Sequence, residues 1–361
     1  MPPLLFDNAM PHEILSLLAY HPRDFDASVL SISISTDRDP LTPVVEFHHP
    51  FACGTLGDLD ALPIELLNAV LRCSDLYTVS TLRLLNRRAR VVVDASVPYK
   101  HILRHAPRVI AALERTGVSS HFSVDEVFNA LSTPACCICG RFGTFLWIPE
   151  CIRCCFPCLR EAPELMPMGE RDAKAAFGLT KSGLAKVPIM VTLAGTYTPF
   201  KIPYRQKRRL LSRERAQQAA TVAHGGEEGL ARYIKFGTSQ AKIAYDRRAA
   251  ARDTTKEAFD SQGRINNTID DITRFMTVVP LPYFDPNSRT MHVGLACQGC
   301  KFALERTSEQ TLSSRQLHAL YDQRDRTYTE NGIFEHFEGC LHAHTLWSAH
   351  WNSHTPSLAA N

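Results

Sequence analysis

The chain has 361 residues and a nearly even charge, with 40 Lys and Arg against 37 Asp and Glu and a formal net charge of +3. So small a surplus provides no overall attraction to nucleic acid or to an anionic membrane. No run approaches the roughly 20 apolar residues that span a bilayer. Acidic rather than basic residues precede the first apolar stretch, at 14–20, so we expect no secretion signal, no membrane partner, and a location in the cytoplasm or nucleus.

The first part of the chain changes character near residue 57. Residues 1–56 combine a weak helical segment with a polar stretch, and we predict a poorly ordered extension. From 62 to 71 apolar residues then recur at helical spacing, with Pro63 at the first turn. A second helix is predicted from Asp75 and a third through 89–93, which together form a three-helix motif.

Later segments mix helices with short strands. A capping box at 123–126 begins a helix, and 201–252 is basic and favours helix. Two strands, 276–282 and 290–295, predict a hairpin, and a helix is predicted over 329–351. The predicted class is mainly α with small β elements. The predicted segments are the extension (1–56), the three-helix motif (57–105), a helical segment with a first cysteine module (106–200), a basic helical segment (201–275), a hairpin and terminal helix with a second module (276–351) and a tail (352–361).

Seven of the twelve cysteines lie between residues 136 and 158. Thiols stay reduced inside cells, where clustered CxxC pairs indicate metal ligands rather than disulfides. A Zn²⁺ ion takes four ligands in a tetrahedron, and each CxxC turn brings two sulfurs to it. Cys151 with Cys154 remains an alternative second pair, and Cys137 is left over. The favoured quartet is Cys136, Cys139, Cys155 and Cys158.

A second cluster begins at another CxxC turn. His336 and Cys340 are four residues apart, so they share one face of the predicted terminal helix. His342 and His344 are rival ligands, and an exchange of CxxC pairs between the two clusters stays open. All four positions of each quartet are protein ligands, so two closed structural Zn²⁺ sites are predicted. The second quartet is Cys297, Cys300, His336 and Cys340.

A basic stretch offers a different interpretation, a zinc-organised protein that binds nucleic acid or has a regulatory role. No recognition motif accompanies it, and the zinc spacings differ from those of ββα fingers. A solvated charged helix is the favoured explanation, so nucleic acid is the less favoured partner. The residues are Lys201, Arg205, Lys207, Arg208, Arg209, Arg213 and Arg215.

Residues 58 to about 103 resemble an F-box of the form common in fungal proteins. The matching residues are Leu62-Pro63-x-Glu65-Leu66, Val70-Leu71, Asp75-Leu76 and the run from Leu82 to Arg90. The rest of the chain, to about residue 350, is also similar to a fungal F-box family, through Val97-Pro98-Tyr99 and both cysteine clusters.

This resemblance implies an adaptor rather than an enzyme. An F-box docks on the linker subunit of SCF ubiquitin ligases, and through it on the cullin scaffold, while the remaining chain recruits an unknown protein target. A RING-type ligase ranks last, because the two clusters lie far apart. The alternative is a three-helix element whose apolar face serves only its own core. The residues implied to contact the linker are Leu62, Pro63, Ile64, Leu66, Leu67, Val70 and Leu71, with Leu82 and Leu85 helping.

Overall fold

The computed structural model describes residues 10–32, 54–255, 269–307 and 312–354. These residues are mainly helical with small sheets, which confirms the predicted class. The helices are α1 Pro11–Leu18, α2 Arg23–Asp26, α3 Ile64–Cys73, α4 Leu76–Leu85, α5 Arg87–Ala95, α6 Val97–His105, α7 Pro107–Thr116, α8 Val124–Ser132, α9 Phe156–Glu161, α10 Glu170–Phe177, α11 Arg213–Ala223, α12 Glu227–Phe236, α13 Gln240–Thr255, α14 Ile269–Met276, α15 Gln298–Arg306, α16 Ser314–Arg324, α17 Glu330–Gly339 and α18 Leu341–His354.

The strands are short, and those that pair are antiparallel. Two sheets have three strands each, in the orders β3-β2-β9 and β4-β8-β5, and β1-β12, β6-β7 and β10-β11 form two-stranded pairs. Their bounds are β1 Ala19–Tyr20, β2 Phe145–Trp147, β3 Ile152–Cys154, β4 Pro167–Gly169, β5 Met190–Val191, β6 Gly195–Tyr197, β7 Ile202–Tyr204, β8 Arg209–Ser212, β9 Val278–Pro280, β10 Tyr283–Asp285, β11 Thr290–His292 and β12 Ala296–Cys297.

The three predicted helices after residue 62 are present as α3, α4 and α5. Pro63 stands at the N-cap of α3, one position before the predicted first turn. The Asp75 side chain accepts a hydrogen bond from the Thr78 amide at 2.8 Å and so begins α4. Asn86 does the same for α5 through the Ala89 amide, also at 2.8 Å. Side-chain caps therefore separate three successive short helices.

One hydrophobic core joins these helices to the first cysteine module. Leu67 and Leu71 of α3 belong to the same buried cluster as Phe145 and Trp147 of β2. The indole of Trp147 donates to the Thr277 hydroxyl at 3.1 Å, which connects β2 to the chain just before β9. The core is thus continuous across the predicted boundary at residue 105.

The prediction of a poorly ordered N-terminal extension is wrong for residues 10–32. Ile14 and Leu18 of α1 are buried, and β1 pairs Ala19 with Cys297. The Phe25 ring stacks on Phe156 with centroids 3.9 Å apart. The partners of this segment lie far away in the chain, so its own short pattern could not reveal them. Residues 1–9 and 33–53 lie outside the described part.

Three later predictions are also corrected. The hairpin is formed by β10 and β11. Val278 and Val279, which the sequence places in its first strand, lie instead in β9, and β9 pairs with β2. The predicted helix 329–351 is two helices, which meet at Cys340. The basic segment 201–275 is not helical at its start: β8 forms the middle strand of a sheet, with buried Leu210 and Leu211 between the charged positions.

Arg153 is a buried cation held by backbone carbonyl groups. Its guanidinium donates to the carbonyl oxygens of Ala130 at 2.9 Å, Gly143 at 2.6 Å and Pro282 at 2.8 Å. These groups belong to α8, to the loop before β2 and to the chain after β9. Desolvation lowers the pKa of Arg153 to about 9. Carbonyl dipoles, including those at the negative end of α8, take the place of a carboxylate partner.

Replacing Arg153 with Lys tests this arrangement. An ammonium cannot reach carbonyls on three segments at once, so several buried oxygens would lose their donors. We expect the free energy of unfolding to fall by about 3 kcal/mol or more. The measurement is urea unfolding of the full chain.

The matched control for this variant is Arg72→Gln. It breaks the Arg72–Asp125 pair, whose Nε–Oδ1 distance is 2.9 Å and whose arginine side chain is half exposed. Such an exposed pair contributes less than about 1 kcal/mol. Equal losses in the two variants would contradict the role given to Arg153.

Candidate metal centres and an exposed helical face

The first predicted quartet converges on one point. The sulfur atoms of Cys136, Cys139, Cys155 and Cys158 all lie within 4.8 Å of one another. The Cys139 and Cys155 sulfurs are 3.6 Å apart. A tetrahedron with Zn–S bonds near 2.3 Å has sulfurs about 3.8 Å apart. The four thiols therefore have the spacing of a tetrahedral metal site.

Local structure explains how the four sulfurs meet. After Cys139 the chain turns sharply at Gly140, whose φ of 71° favours glycine, and the Gly140 amide donates to the Cys136 carbonyl at 2.9 Å. The β2–β3 hairpin then returns the chain, with Phe145 paired to Cys154. Cys155 follows β3 directly, and Cys158 lies one turn into α9.

Hydrogen bonds to sulfur prepare the first site for a cation. Bonds from the thiols of Cys137 and Cys155 hold the pKa of Cys136 well below its usual range. The same bond to Cys136 raises the pKa of Cys155. The Arg141 Nε donates to the Cys139 sulfur at 3.3 Å. A divalent ion binds deprotonated thiols, so metal binding at these four cysteines would release their protons.

The other three cysteines of this region stay outside the quartet. Cys137 is exposed, whereas Cys151 and Cys154 are buried, and desolvation raises the pKa of both buried thiols. Among the described residues, neither Cys151 nor Cys154 joins a group of converging ligand atoms. The structure thus brings together the favoured pair rather than the alternative one.

The second predicted quartet also converges, with all ligand atoms of Cys297, Cys300, His336 and Cys340 within 4.8 Å. The Cys340 sulfur lies 3.9 Å from that of Cys297 and 3.8 Å from that of Cys300. The Cys300 sulfur is 3.4 Å from His336 Nε2. Tetrahedral zinc bonding predicts about 3.8 Å between sulfurs and about 3.6 Å from sulfur to nitrogen. Each quartet is complete by itself, without an exchange of pairs.

Close packing of α15 against α18 forms the second site. Gly299 lies inside the CxxC turn, and a Cβ there would come within 2.4 Å of the Ala343 amide nitrogen. Ile14 and Leu18 of α1 pack around the same cysteines, together with Trp347. The predicted site did not include α1. The four-residue spacing of Ile14 and Leu18 was the available signal.

A tyrosine orients the histidine ligand. The Tyr328 hydroxyl lies 3.1 Å from His336 Nδ1, and the two rings stack with centroids 4.7 Å apart. This contact leaves His336 Nε2 directed at the cysteine sulfurs. It also fixes the ring orientation, as hydrogen-bond partners of ligating histidines do in metal sites. Of the two rival ligands, His342 is exposed, and His344 Nε2 lies 2.7 Å from the Phe337 carbonyl oxygen. Nothing in the sequence pattern singled out Tyr328.

Ion pairs connect the first site to the segment between Cys300 and His336 of the second quartet. Arg141 Nη1 donates to both oxygens of Asp322 in α16, at 3.0 and 3.1 Å. Arg160 of α9 donates to Asp325 at 2.5 Å, and both side chains are almost fully buried. Helix α16 in turn packs against α15. The two centres therefore occupy a fixed position relative to each other.

The face predicted to dock on a linker is divided between core and solvent. Leu67 and Leu71 are buried in the protein's own core, which corrects their predicted role, and Leu82 packs partly against it. Pro63 lies on the exposed side. The other predicted residues are exposed, at 36% for Leu62, 47% for Ile64, 54% for Leu66, 45% for Val70 and 66% for Leu85. Two further apolar residues of α4 that the prediction did not include, Tyr77 and Leu84, are also exposed.

The basic stretch 201–215 does not form a single helical face. It runs through β7 and β8 before α11 begins, and Arg209 Nε forms a short ion pair with Glu170. Arg213 and Arg215 are exposed in the first turn of α11. This arrangement agrees with the interpretation that the basic side chains of this stretch lie on a solvated surface.

Comparisons of the chain with protein-family models, with curated proteins and with solved structures find no match. Within the described ranges, no helix combines the length and apolar character needed to cross a bilayer. The features of the described residues that indicate a function are the two quartets and the exposed apolar side chains of α3 and α4.

Metal analysis of two cysteine variants tests the first quartet. The wild-type chain should carry two equivalents of metal, one for each group of ligands. Cys155→Ser should retain one equivalent, because its hydroxyl is a poor ligand. Cys151→Ser should retain both, since that buried thiol is not a ligand. Two equivalents in the Cys155 variant would refute the quartet.

Replacing Gly299 with Ala tests the second site. The added methyl would meet backbone atoms that cannot move aside, so we expect a loss of about 1–3 kcal/mol and faster metal release to a chelator. The matched control is Gly339→Ala, where a Cβ meets nothing within 4 Å. In a helix that change is neutral or stabilises by about 0.5–1 kcal/mol. Unfolding curves and chelator kinetics of both variants give the answer, and equal behaviour would contradict the proposed packing.

Proposed function

We propose that this protein is a substrate-recruiting adaptor of an SCF-type ubiquitin ligase, without catalytic activity of its own. The observation that carries the proposal is the number of exposed apolar side chains in α3, in α4 and just before α3. We call these side chains the docking face and define it as Leu62, Ile64, Leu66, Val70, Tyr77, Leu84 and Leu85.

Exposed apolar groups in one region indicate a binding surface, whereas singly scattered ones do not. Leu66 and Val70 lie one helical turn apart on α3, and Ile64 begins the same helix. Leu84 and Leu85 lie at the end of α4, which packs against α5. Fully burying one such side chain contributes roughly 1.5–3 kcal/mol, so a few of them suffice for a stable complex. Five of the seven positions are among those that the F-box resemblance implies, namely Leu62, Ile64, Leu66, Val70 and Leu85.

In this proposal both quartets hold Zn²⁺ as structural ions. Three or four thiolates with at most one imidazole are the ligands that zinc prefers, and the sulfur spacings fit its tetrahedron. Four protein ligands leave no open position for a substrate or an activated water. Each ion would contribute on the order of 10 kcal/mol to folding. The role of the metal is then to hold the recruiting half of the chain in shape.

The second candidate, nucleic-acid binding through the basic stretch, has weaker support. Its exposed cations include Lys201, Arg205 and Lys207, next to the short strand β7. A nucleic-acid complex would weaken steeply with salt. The affinity of docking through apolar side chains would depend little on salt, so measuring binding at increasing salt concentration distinguishes the two candidates.

Co-purification with the SCF linker subunit tests the adaptor. We expect the zinc-loaded wild-type chain to form a stable complex, and the double variant Leu66→Asp/Val70→Asp to lose it, because two carboxylates would be buried without partners. Binding should fall at least about 100-fold. Both substitutions lie on exposed positions, so the variant should fold and keep its metal.

The matched control is Val222→Asp/Phe236→Asp, which changes two exposed apolar residues on other helices. It should bind the linker like wild type. A folded, zinc-loaded wild-type chain that does not bind the linker would refute the adaptor, and salt-sensitive binding to DNA or RNA would then favour the second candidate.

A further inference from the structure

The charges of this chain are unevenly distributed along it. Residues 167–255 contain 17 Lys and Arg against 7 Asp and Glu, whereas the rest of the chain contains 23 against 30. This segment also has a small hydrophobic core of its own, which joins Phe177 of α10 to Leu211 of β8 and Leu230 of α12. A basic module is therefore joined to an otherwise acidic protein, and it attracts anionic partners that contact the module alone.

The cations of the stretch 201–215 are not neutralised by carboxylates of the protein itself. Of these seven, only Arg209 has an ion pair within the described residues, with Glu170, which also binds Lys174. The one carboxylate of the stretch, that of Glu214, accepts a hydrogen bond from Gln218 at 3.2 Å. We call the six other cations the basic face. They are Lys201, Arg205, Lys207, Arg208, Arg213 and Arg215.

Strand β8 has cations of the basic face at both ends. Arg205, Lys207 and Arg208 precede the strand. Arg213 and Arg215 follow it, in the first turn of α11. The four residues of the strand span roughly 13 Å, and charges interact over about 8 Å at physiological ionic strength. The two groups of cations therefore attract separate acidic residues, at a spacing that a short extended peptide can match.

Helix α11 begins with charges of the unfavourable sign. Arg213 and Arg215 are exposed in its first turn, where the helix dipole favours anions and disfavours cations. Glu214 is the single acidic residue of that turn. A carboxylate of a partner beside this turn would offset the repulsion between the two guanidiniums and the positive end of the helix.

An apolar residue lies directly next to the basic face in the chain. Phe200 is 52% exposed in the turn between β6 and β7, immediately before Lys201. Thr198 of the same turn has a φ of 69°, a left-handed conformation that is strained for a β-branched residue. The Thr198 amide donates to the Ser28 carbonyl at 2.8 Å and holds the turn in place. Phe200 is thus kept exposed, where it can contact an apolar side chain of a partner.

The basic face is attached to the core around the first metal centre. Leu210 of β8 belongs to the same hydrophobic cluster as Cys155 and Cys158. The Ser212 hydroxyl donates to the carboxylate of Glu150, in the loop between β2 and β3. A partner bound to this face therefore has a fixed position relative to the first quartet.

The size of the face and the charge of the remaining chain favour a short acidic segment of a protein. A nucleic acid is a long polyanion that extends beyond a face of this size and meets the acidic remainder of the chain. An acidic segment contacts the face alone, and it can also provide an apolar side chain for Phe200. Recognition of acidic motifs by clusters of Arg is an established mode of peptide binding.

We propose that the basic face binds an acidic segment of the recruited protein, in which an apolar side chain accompanies several Asp or Glu residues. The proposal rests on the adaptor function and names the part of the target that is recognised. The carboxylates bind the cations at the two ends of β8, and the apolar side chain packs on Phe200.

Fluorescence anisotropy with labelled dodecapeptides tests the proposal on the full zinc-loaded chain at about 0.15 M salt. The probes are a peptide of Asp and Glu with one Leu, its copy with Asn and Gln in place of every acid, and a single-stranded DNA several times longer than the face. We expect the acidic peptide to bind at least about 10-fold more tightly than either other probe. Equal binding of both peptides, tighter binding of the DNA, or no binding by any probe at about 1 mM would overturn the proposal.

A double variant locates the binding on the basic face. Arg205→Gln/Lys207→Gln should reduce the affinity for the acidic peptide at least about 10-fold. The matched control is Lys100→Gln/Arg108→Gln, which makes the same change in net charge at exposed residues of α6 and α7. The control should bind like wild type. Equal affinities of the two double variants would place the binding elsewhere and overturn the assignment.

Phe200→Ser tests the apolar contact separately from the charges. It should weaken binding of the acidic peptide about 3-fold or more, because the Leu side chain loses its partner. Binding of a copy with Gly in place of Leu should not change. Equal losses for the two probes would refute the contact with Phe200.

Linker binding separates this proposal from the adaptor function. Arg205→Gln/Lys207→Gln should retain the linker, since the docking face includes neither residue, and Leu66→Asp/Val70→Asp should lose the linker but bind the acidic peptide like wild type. A wild-type chain that binds the linker and not the peptide would refute the basic face alone. A wild-type chain that binds the peptide and not the linker would refute the adaptor and, with it, recruitment of a target for a ligase.

Discussion

The buried guanidinium of Arg153 is the interaction on which the rest of the structure depends. It joins the end of α8, the loop before β2 and the chain after β9, and its most distant partner, Pro282, lies 129 residues from Arg153 in the sequence. Its own carbonyl accepts the Cys137 amide at 2.9 Å, and the ligand Cys155 follows two residues later. An unpaired cation in a core would be very unfavourable, so the carbonyls that satisfy it must stay in place. The first quartet is built on that fixed framework.

The first metal centre and the helix α3 belong to one continuous hydrophobic core. The core that contains Leu67 and Leu71 of α3 also contains Cys136 and Cys155 of the first quartet. Arg160 and Asp325 then connect this core to the region of the second quartet. A target held near the metal centres would therefore keep a fixed distance from a ligase held at α3. In the proposed function, two bound ions would add rigidity that short helices alone do not provide.

The sequence predicts features whose chemistry is local, and it fails where partners are distant. CxxC spacing identified Cys136, Cys139, Cys297 and Cys300, because the turn itself brings the sulfurs together. Caps such as Ser123 with Glu126 fixed helix starts for the same reason. By contrast, β9 pairs with β2 across about 130 residues, and α1 packs on cysteines near residue 300. A pattern of period two or four reports that a face is apolar but not what covers it.

Helix α3 shows this limit and also a way past it. Leu67 and Leu71 face the core, while Leu66 and Val70 face solvent. All four residues are apolar, and the two members of each pair are one helical turn apart. Adjacent positions differ by about 100° around a helix, so these are two neighbouring stripes. A core-facing helix needs one stripe of about that width. The second stripe, Leu66 and Val70, is exposed in the described part of the chain. The two stripes together are wider than one core requires, and this total width can be read from the sequence. An apolar arc wider than one core needs is therefore the sequence feature that supports the docking role proposed for α3.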